Sequence, residues 1–131
     1  MNILTWTTLK DGGNKYSVGP AYYLGADYVP VAVRVYAEVA PDVEDAQFDI
    51  YCGGVSIFPN RADHNYYPQG GIETRVAPRT YQMLAKDSNS EDIADDFIEN
   101  ALIADSWITC NLIKDGGGKN ITIQLEIEPT A

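Results

Sequence analysis

The sequence predicts an all-β protein, an antiparallel β-sandwich of jelly-roll-like topology that occupies residues 1–131 as a single domain. Three observations predict this fold class. Apolar and polar residues alternate strictly through Val31–Val39. They also alternate through Ala46–Cys52 and through most of both arms of the C-terminal stretch Trp107–Ile127. Turn signals rich in glycine and proline follow most of these segments within about ten residues. Long connections between some strands favour a Greek key or jelly roll over a meander.

The C-terminal stretch predicts a β-hairpin. Its arms are Trp107–Ile113 and Ile121–Ile127, and the intervening Asp115–Gly118 contains glycines that adopt positive φ without steric cost. A four-residue loop sets the apolar side chains of the two arms against each other, and a slip of one residue would set apolar against polar in nearly every pair. The predicted apolar pairs are Leu112 with Ile121, Cys110 with Ile123, and Ile108 with Leu125.

Three further segments have strand or turn character. Asn2–Lys10 predicts a first strand, because Thr, Ile, Leu and Trp are typical strand residues. Gly53 and Gly54 predict a tight hairpin turn after the strand Ala46–Cys52, with a bulge in a bent strand as the alternative. Thr80–Leu84 predicts another strand, whereas Pro59–Pro78 has little periodicity, and long runs of that kind are often functional.

Residues 88–103 depart from the β pattern. Ser88 and Glu91 fit a capping box, in which the two side chains satisfy the first free amides of a helix. Ile93, Phe97 and Ala101 then repeat at intervals of four, as one face of a helix does. The sequence therefore predicts one short helix near 88–103, with an extended acidic loop as the alternative if tertiary contacts override this local preference.

Charge excludes some classes of partner. Nine Lys and Arg stand against 19 Asp and Glu, which gives a formal net charge of −10. Binding to nucleic acid depends on clustered positive charge, so we expect no nucleic-acid partner.

No apolar run has the length of a membrane span, and we expect no membrane partner. The N-terminus lacks the features of a signal peptide, which predicts synthesis in a cytoplasm.

Candidate chemistry is sparse. The sequence predicts no catalytic residue, no cofactor and no metal site. Cys52 and Cys110 fall in apolar alternations and are predicted to be buried free thiols, while a disulfide stays open if their strands are neighbours. His64 lies in a polar loop without the context of a catalytic triad and is predicted to be exposed. Asp87–Asp92 spaces its oxygens as a calcium loop does, but lacks the glycine that such a loop needs.

Tyrosine is the remaining feature, with nine in the chain. Tyr22 and Tyr23 are adjacent in one predicted loop, and Tyr66 and Tyr67 are adjacent in another. Tyrosine gives a large amphipathic contact area and is enriched at protein interfaces. We therefore predict Tyr22, Tyr23, Tyr66 and Tyr67 as interface residues, with partial packing under the loops as the alternative.

Two segments carry a family resemblance. "AQFDIYCGGVSIFP" (46–59) and "ADSWITCNLIKDGGGKNITIQLEIE" (104–128) resemble small β-sandwich structural proteins of tailed bacteriophages, in particular capsid cement or decoration proteins. The resemblance is one of composition and pattern, so it assigns no contact residues.

This resemblance implies a non-enzymatic virion protein, made in the host cytoplasm and located on the capsid surface. Such a protein would bind between subunits of the major capsid protein as a homo-oligomer and stabilise the shell. The alternative is a carbohydrate- or receptor-binding β-sandwich module, on a phage tail or lectin-like.

Overall fold

The computed structural model describes residues 2–8, 15–65, 67–69, 72–77 and 79–130, with the backbone alone described at residues 15, 16, 67–69 and 72–77. These residues form β-strands and no helix. The strands in chain order are β1 (Asn2–Thr7), β2 (Lys15–Leu24), β3 (Tyr28–Val39), β4 (Ala46–Cys52), β5 (Val55–Ser56), β6 (Tyr67–Gln69), β7 (Ile72–Ala77), β8 (Gln82–Leu84), β9 (Ser90–Ile93), β10 (Ser106–Lys114) and β11 (Lys119–Pro129).

Two antiparallel sheets pack face to face. Sheet A has the order β1-β11-β3-β9, and sheet B has the order β2-β10-β4-β5, with β8 also paired to β4. The first four strands alternate between the sheets, with β1 and β3 in sheet A and β2 and β4 in sheet B. Each of the last two strands lies between two of these within one sheet: β11 between β1 and β3, and β10 between β2 and β4. This is the strand order of a jelly roll, a double-sheet fold built from two Greek keys. The predicted fold class is confirmed.

The core lies between the two sheets and is filled from their inward faces. Its largest fully buried side chains include Trp6 from sheet A, Phe48 from sheet B, and Phe58 from the loop after β5. Leu102 closes one end of the sandwich through a β-bridge to Tyr28. Burial of these apolar faces is the main source of stability in such a fold.

The prediction of a C-terminal hairpin is wrong about which strands pair but correct about which side chains point into the core. The alternation predicts the inward side chains correctly, since these are all buried: Ile108, Cys110, Leu112, Ile121, Ile123 and Leu125. However, β10 pairs with β2 and β4, whereas β11 pairs with β1 and β3. The two arms therefore belong to opposite sheets, and their apolar faces meet across the core instead of lying side by side in one ladder.

The turn between β10 and β11 explains this crossing. Gly116 and Gly117 have φ of 64° and 94°, a region that favours glycine. The carbonyl oxygen of Gly116 accepts hydrogen bonds from the backbone N–H groups of Val43 (2.9 Å) and Glu44 (3.3 Å), which lie in the loop from β3 to β4. A Cβ atom at Gly116 would collide with the carbonyl oxygen of Glu44. The β3–β4 loop and the β10–β11 turn each connect one sheet to the other, and these two connections pack against each other.

The predicted helix near 88–103 is also wrong. Ser90–Ile93 forms β9, which extends sheet A by pairing with β3, and the residues after it form turns and a loop. Asn89 begins this pairing: its backbone carbonyl accepts a hydrogen bond from the Ala37 N–H (2.8 Å), and its side-chain amide donates to the Ala37 carbonyl (2.9 Å). Long-range pairing with an open sheet edge here outweighs a short-range helical preference. The alternative of an acidic loop is closer to the structure.

The other predictions for the chain are mostly confirmed. The strands predicted at Asn2–Lys10, Val31–Val39, Ala46–Cys52 and Thr80–Leu84 correspond to β1, β3, β4 and β8, although residues 9 and 10 lie outside the described part. The Gly53-Gly54 hairpin is present, with β5 as its short second arm. The segment Pro59–Pro78, which lacks periodicity, contains the separate two-stranded sheet of β6 and β7.

We predict that Gly116→Ala destabilises the protein much more than Gly54→Ala. Both glycines have positive φ, but nothing lies within 4 Å of a Cβ at Gly54, whereas one at Gly116 meets the backbone of Glu44. We expect about 1–2 kcal/mol from the left-handed backbone at either position. The collision at Gly116 should add at least about 2 kcal/mol. Urea unfolding measures the difference, and equal losses at the two positions would show that the turn is not packed against the β3–β4 loop.

Candidate functional site

The outer face of sheet B carries an exposed aromatic pair. Trp107 on β10 and Tyr23 on β2 are cross-strand partners in the sheet register. Their rings lie edge to face, with centroids 5.2 Å apart, and the two residues are 56% and 52% exposed. The Tyr23 hydroxyl donates a hydrogen bond of 2.8 Å to Asp105 Oδ1, which raises the pKa of Tyr23. We call these three residues the Trp107 patch.

The Trp107 patch has the properties of a protein contact site. Trp107 lies on β10, a strand with a neighbour on each side, so the ring is presented by a rigid part of the fold. A large aromatic side chain that leaves water on binding contributes heavily to affinity, and Trp and Tyr are enriched among such anchors. The sequence indicates Tyr23 as an interface residue but does not indicate Trp107. The available signal was the position of Trp107 on the polar face of an alternating strand.

Tyr22 is placed differently from its neighbour. Its hydroxyl donates a hydrogen bond of 2.8 Å to the Thr5 carbonyl and accepts one of 3.3 Å from the Thr5 N–H. Its ring packs edge to face on Trp6, whose indole N–H donates to the Pro20 carbonyl at 2.6 Å. Tyr22 thus satisfies backbone groups on the edge strand of sheet A and ties that strand to β2. Satisfied edges protect a sheet from pairing with other chains.

The side chains of the other two predicted interface residues, Tyr66 and Tyr67, lie outside the described part of the structure. Tyr66 lies outside the described residues, and Tyr67 begins β6, where the backbone alone is described. Tyr22 and Tyr23 lie on one strand, but the first is partly buried against β1 and the second is exposed. The interface role of all four tyrosines stays a prediction.

The outer face of sheet A carries a polar groove. Two rows of side chains cross its strands: Thr122, Tyr36 and Ser90 in one row, and Gln124, Arg34 and Asp92 in the next. These residues line a cavity of about 320 Å³, together with Glu91. We call this cavity the sheet A groove.

Arg34 at the centre of the groove is fixed by carboxylates. Its Nη1 donates a hydrogen bond of 2.8 Å to Oε1 of Glu126, which is 6% exposed, and its Nε lies 3.5 Å from Oδ2 of Asp92. The hydrogen bond to Glu126 raises the pKa of Arg34, and burial only partly opposes this. Contacts with carboxylates on two sides restrict the orientation of the planar guanidinium, and Arg34 itself lines the groove.

A buried carboxyl, that of Asp49 on β4, lies beneath the segments around Ser56 and Thr80 on the outer face of sheet B. Asp49 has no exposed surface. Its Oδ1 accepts hydrogen bonds from the Ile50 N–H (2.9 Å) and Ser56 Oγ (2.7 Å), and its Oδ2 accepts one from Thr80 Oγ1 (2.5 Å). Burial raises the pKa of Asp49, although these hydrogen bonds oppose the rise.

This carboxyl is placed to hold the loop and not to react. Ser56 and Thr80 line a neighbouring cavity of about 460 Å³, but both hydroxyls donate to Asp49, which does not itself line the cavity. A catalytic carboxylate must reach its substrate within hydrogen-bond distance. The arrangement instead fixes the segments around Ser56 and Thr80 against β4.

His64 is buried, so the prediction of an exposed histidine is wrong. It is 9% exposed, and its ring stacks on Tyr81 with centroids 4.4 Å apart. The Tyr81 hydroxyl accepts a hydrogen bond from the Asn65 N–H at 3.1 Å, which holds this loop against the sheet. Nearby, Arg61 forms an ion pair with Asp96. The polar residues around His64 predict an exposed loop, whereas the packing of its ring depends on Tyr81, which is remote in the chain.

The two cysteines are free and buried, as predicted. They lie on the neighbouring strands β4 and β10, two register positions apart, since Cys52 pairs with Ile108 and Cys110 with Ile50. Burial raises the pKa of the Cys110 thiol, which keeps it protonated and unreactive. Within the described part of the chain, no group of three or more His, Cys, Asp or Glu side chains is arranged to hold a metal ion.

We predict that the stability cost of Asp49→Asn depends on pH. Because the folded-state pKa of Asp49 is raised, its contribution to the free energy of unfolding is complete below its unfolded pKa of about 4. That contribution is lost as the pH rises through the folded-state pKa. Asn keeps one acceptor oxygen and does not titrate.

The wild type should therefore gain most over Asp49→Asn near pH 4, and its advantage should shrink by pH 7. Urea unfolding of both proteins across this range measures the difference. A constant difference, or one that grows with pH, would contradict the buried, raised-pKa carboxyl.

Comparisons with known proteins give no relative: no family model, no curated protein and no solved structure matches the chain. Among the residues that the structure describes, none belongs to a helix long and apolar enough to cross a membrane.

Proposed function

We propose that this protein is a non-enzymatic structural protein of a virion, a cement or decoration protein. In this role it binds as a homo-oligomer between subunits of the major capsid protein and stabilises the shell. The Trp107 patch is the contact with the capsid protein. The observation that carries the proposal is the exposed pair of Trp107 and Tyr23 on the rigid outer face of sheet B.

The energetics of the patch support a protein contact. Trp107 and Tyr23 leave more than half of each residue in water in the isolated chain. Covering both rings would remove a large apolar area from water, and each Å² so buried contributes about 25 cal/mol of favourable free energy. Both side chains have few rotatable bonds, and the hydrogen bond to Asp105 restricts Tyr23 further. The entropy lost on binding is correspondingly small.

Fold and charge support the same role. Jelly rolls recur in viral capsid proteins and in lectins, although a fold alone does not assign a function. The net charge of −10 would complement a basic surface on the shell and would speed the encounter with it. The resemblance in composition and pattern of segments 46–59 and 104–128 to capsid cement proteins favours the virion role over a lectin-like one.

The test is binding of purified protein to capsid shells that lack it, prepared from the phage that encodes it. We predict that Trp107→Ala weakens binding at least about 10-fold, since a buried aromatic anchor contributes about 2 kcal/mol or more. Sedimentation of shells with labelled protein measures the bound fraction at each concentration.

Tyr36→Ala is the matched control, because Tyr36 is also 52% exposed but lies on the outer face of the opposite sheet. It should bind shells as the wild type does. Absence of binding by the wild type would contradict the cement function. Binding that is unchanged by Trp107→Ala would contradict the assignment of the Trp107 patch as the contact.

A further inference from the structure

We propose that the sheet A groove binds a neutral saccharide. This site lies on the face opposite the Trp107 patch and goes beyond the proposed structural function. A protein that attaches to a shell through sheet B would present the outer face of sheet A to the surroundings. The ligand class follows from the side chains that line the groove, their hydrogen-bonding state and their charge.

The first argument is the aromatic ring. Tyr36 lies at the middle of one row, between Thr122 on β11 and Ser90 on β9, and is 52% exposed. The face of an aromatic ring carries partial negative charge and attracts the weakly positive C–H groups on the flat face of a pyranose. The three strands hold this ring beside short hydroxyl side chains, so a sugar packed on Tyr36 has hydrogen-bonding groups at its edges.

The second argument is a set of polar side chains without partners. Among the described residues, the side chains of Tyr36, Thr122 and Gln124 make no hydrogen bond, although all three line the cavity. Thr122 and Gln124 are partly buried on a central strand, where their positions are fixed by pairing on both sides. Together they offer hydroxyl and amide groups that both donate and accept. Sugar hydroxyls have the same dual character and match such a set.

The third argument is the central ion pair. Arg34 is held by Glu126 and Asp92, so its orientation is set before a ligand arrives. A pre-organised donor loses little entropy on binding. Asp92 also lines the groove, and the two oxygens of its carboxylate can each accept a hydrogen bond from adjacent sugar hydroxyls. The site thus combines an oriented guanidinium donor, a carboxylate acceptor and an exposed aromatic ring.

Charge selects a neutral ligand. The carboxylates of Glu91, Asp92 and Glu126 outnumber the one guanidinium of Arg34, and the chain as a whole has a net charge of −10. A sulfated or carboxylated saccharide would be repelled by this field, and Arg34 is already paired with two carboxylates. The volume of about 320 Å³ is at the small end of ligand sites, which suits one or two sugar residues bound weakly.

The test is titration of ¹⁵N-labelled full-length protein with neutral oligosaccharides, namely maltose, cellobiose, chitobiose and mannobiose, to about 10 mM each. We expect at least one of them to shift the amide signals of Tyr36, Thr122 and Gln124 selectively. Tyr36→Ala and Gln124→Ala should each weaken that binding at least about 10-fold. Mapping on the unaltered protein keeps the test independent of how the variants fold.

Tyr23→Ala is the control on the other sheet and should bind the same sugar as the wild type does. The proposal is overturned if none of the four sugars shifts groove signals at about 10 mM. It is also overturned if the shifts lie outside the groove, or if heparin binds there in preference to them. Shell binding by Tyr36→Ala is measured separately, so failure of the saccharide site and failure of the cement function give different results.

Discussion

Mutual burial of two apolar sheet faces is the interaction on which the rest of this structure depends. The last two strands lie inside opposite sheets, β10 in sheet B and β11 in sheet A, and each is flanked by earlier strands. Their inward residues, such as Cys110 and Ile123, meet other apolar residues across the core. Crossing between the sheets requires a connection that spans them, and the Gly116 turn provides it by packing on the β3–β4 loop. Because the core takes up only the inward side chains, the outer face of each sheet bears its own set of polar and aromatic side chains.

Sequence analysis predicted the faces of the strands and not their partners, for a physical reason. Alternation with period two is local, so Ile108, Ile121 and Leu125 could be assigned to the core from their neighbours alone. A hairpin and a crossing between sheets bury the same residues. The choice between them depends on contacts of Gly116 with Glu44, which are remote in sequence. Remote contacts also decided the segment after residue 88, where pairing of β9 with β3 replaced the predicted helix.

Candidate sites were harder to predict than the fold. Tyr22 and Tyr23 are adjacent residues of the same type, so the sequence does not distinguish them. In the structure Tyr23 is exposed beside Trp107, whereas the Tyr22 hydroxyl donates a hydrogen bond to the backbone of Thr5. The sheet A groove could not be read from the sequence, because its residues come from three strands that are distant in the chain. Arg34 and Gln124 become neighbours only through the register of β3 with β11. Such a site is a product of topology.

The most direct test of the crossed arrangement is the pattern of interstrand nuclear Overhauser effects from β11 in the unaltered protein. The structure predicts that Gln124 gives backbone cross-peaks to Thr5 on one side and Arg34 on the other. It predicts none between Gln124 and Thr109, which lies in the opposite sheet opposite Tyr51. Cross-peaks between Gln124 and Thr109 would show that the C-terminal arms form a hairpin, and both outer faces described above would then be assembled incorrectly.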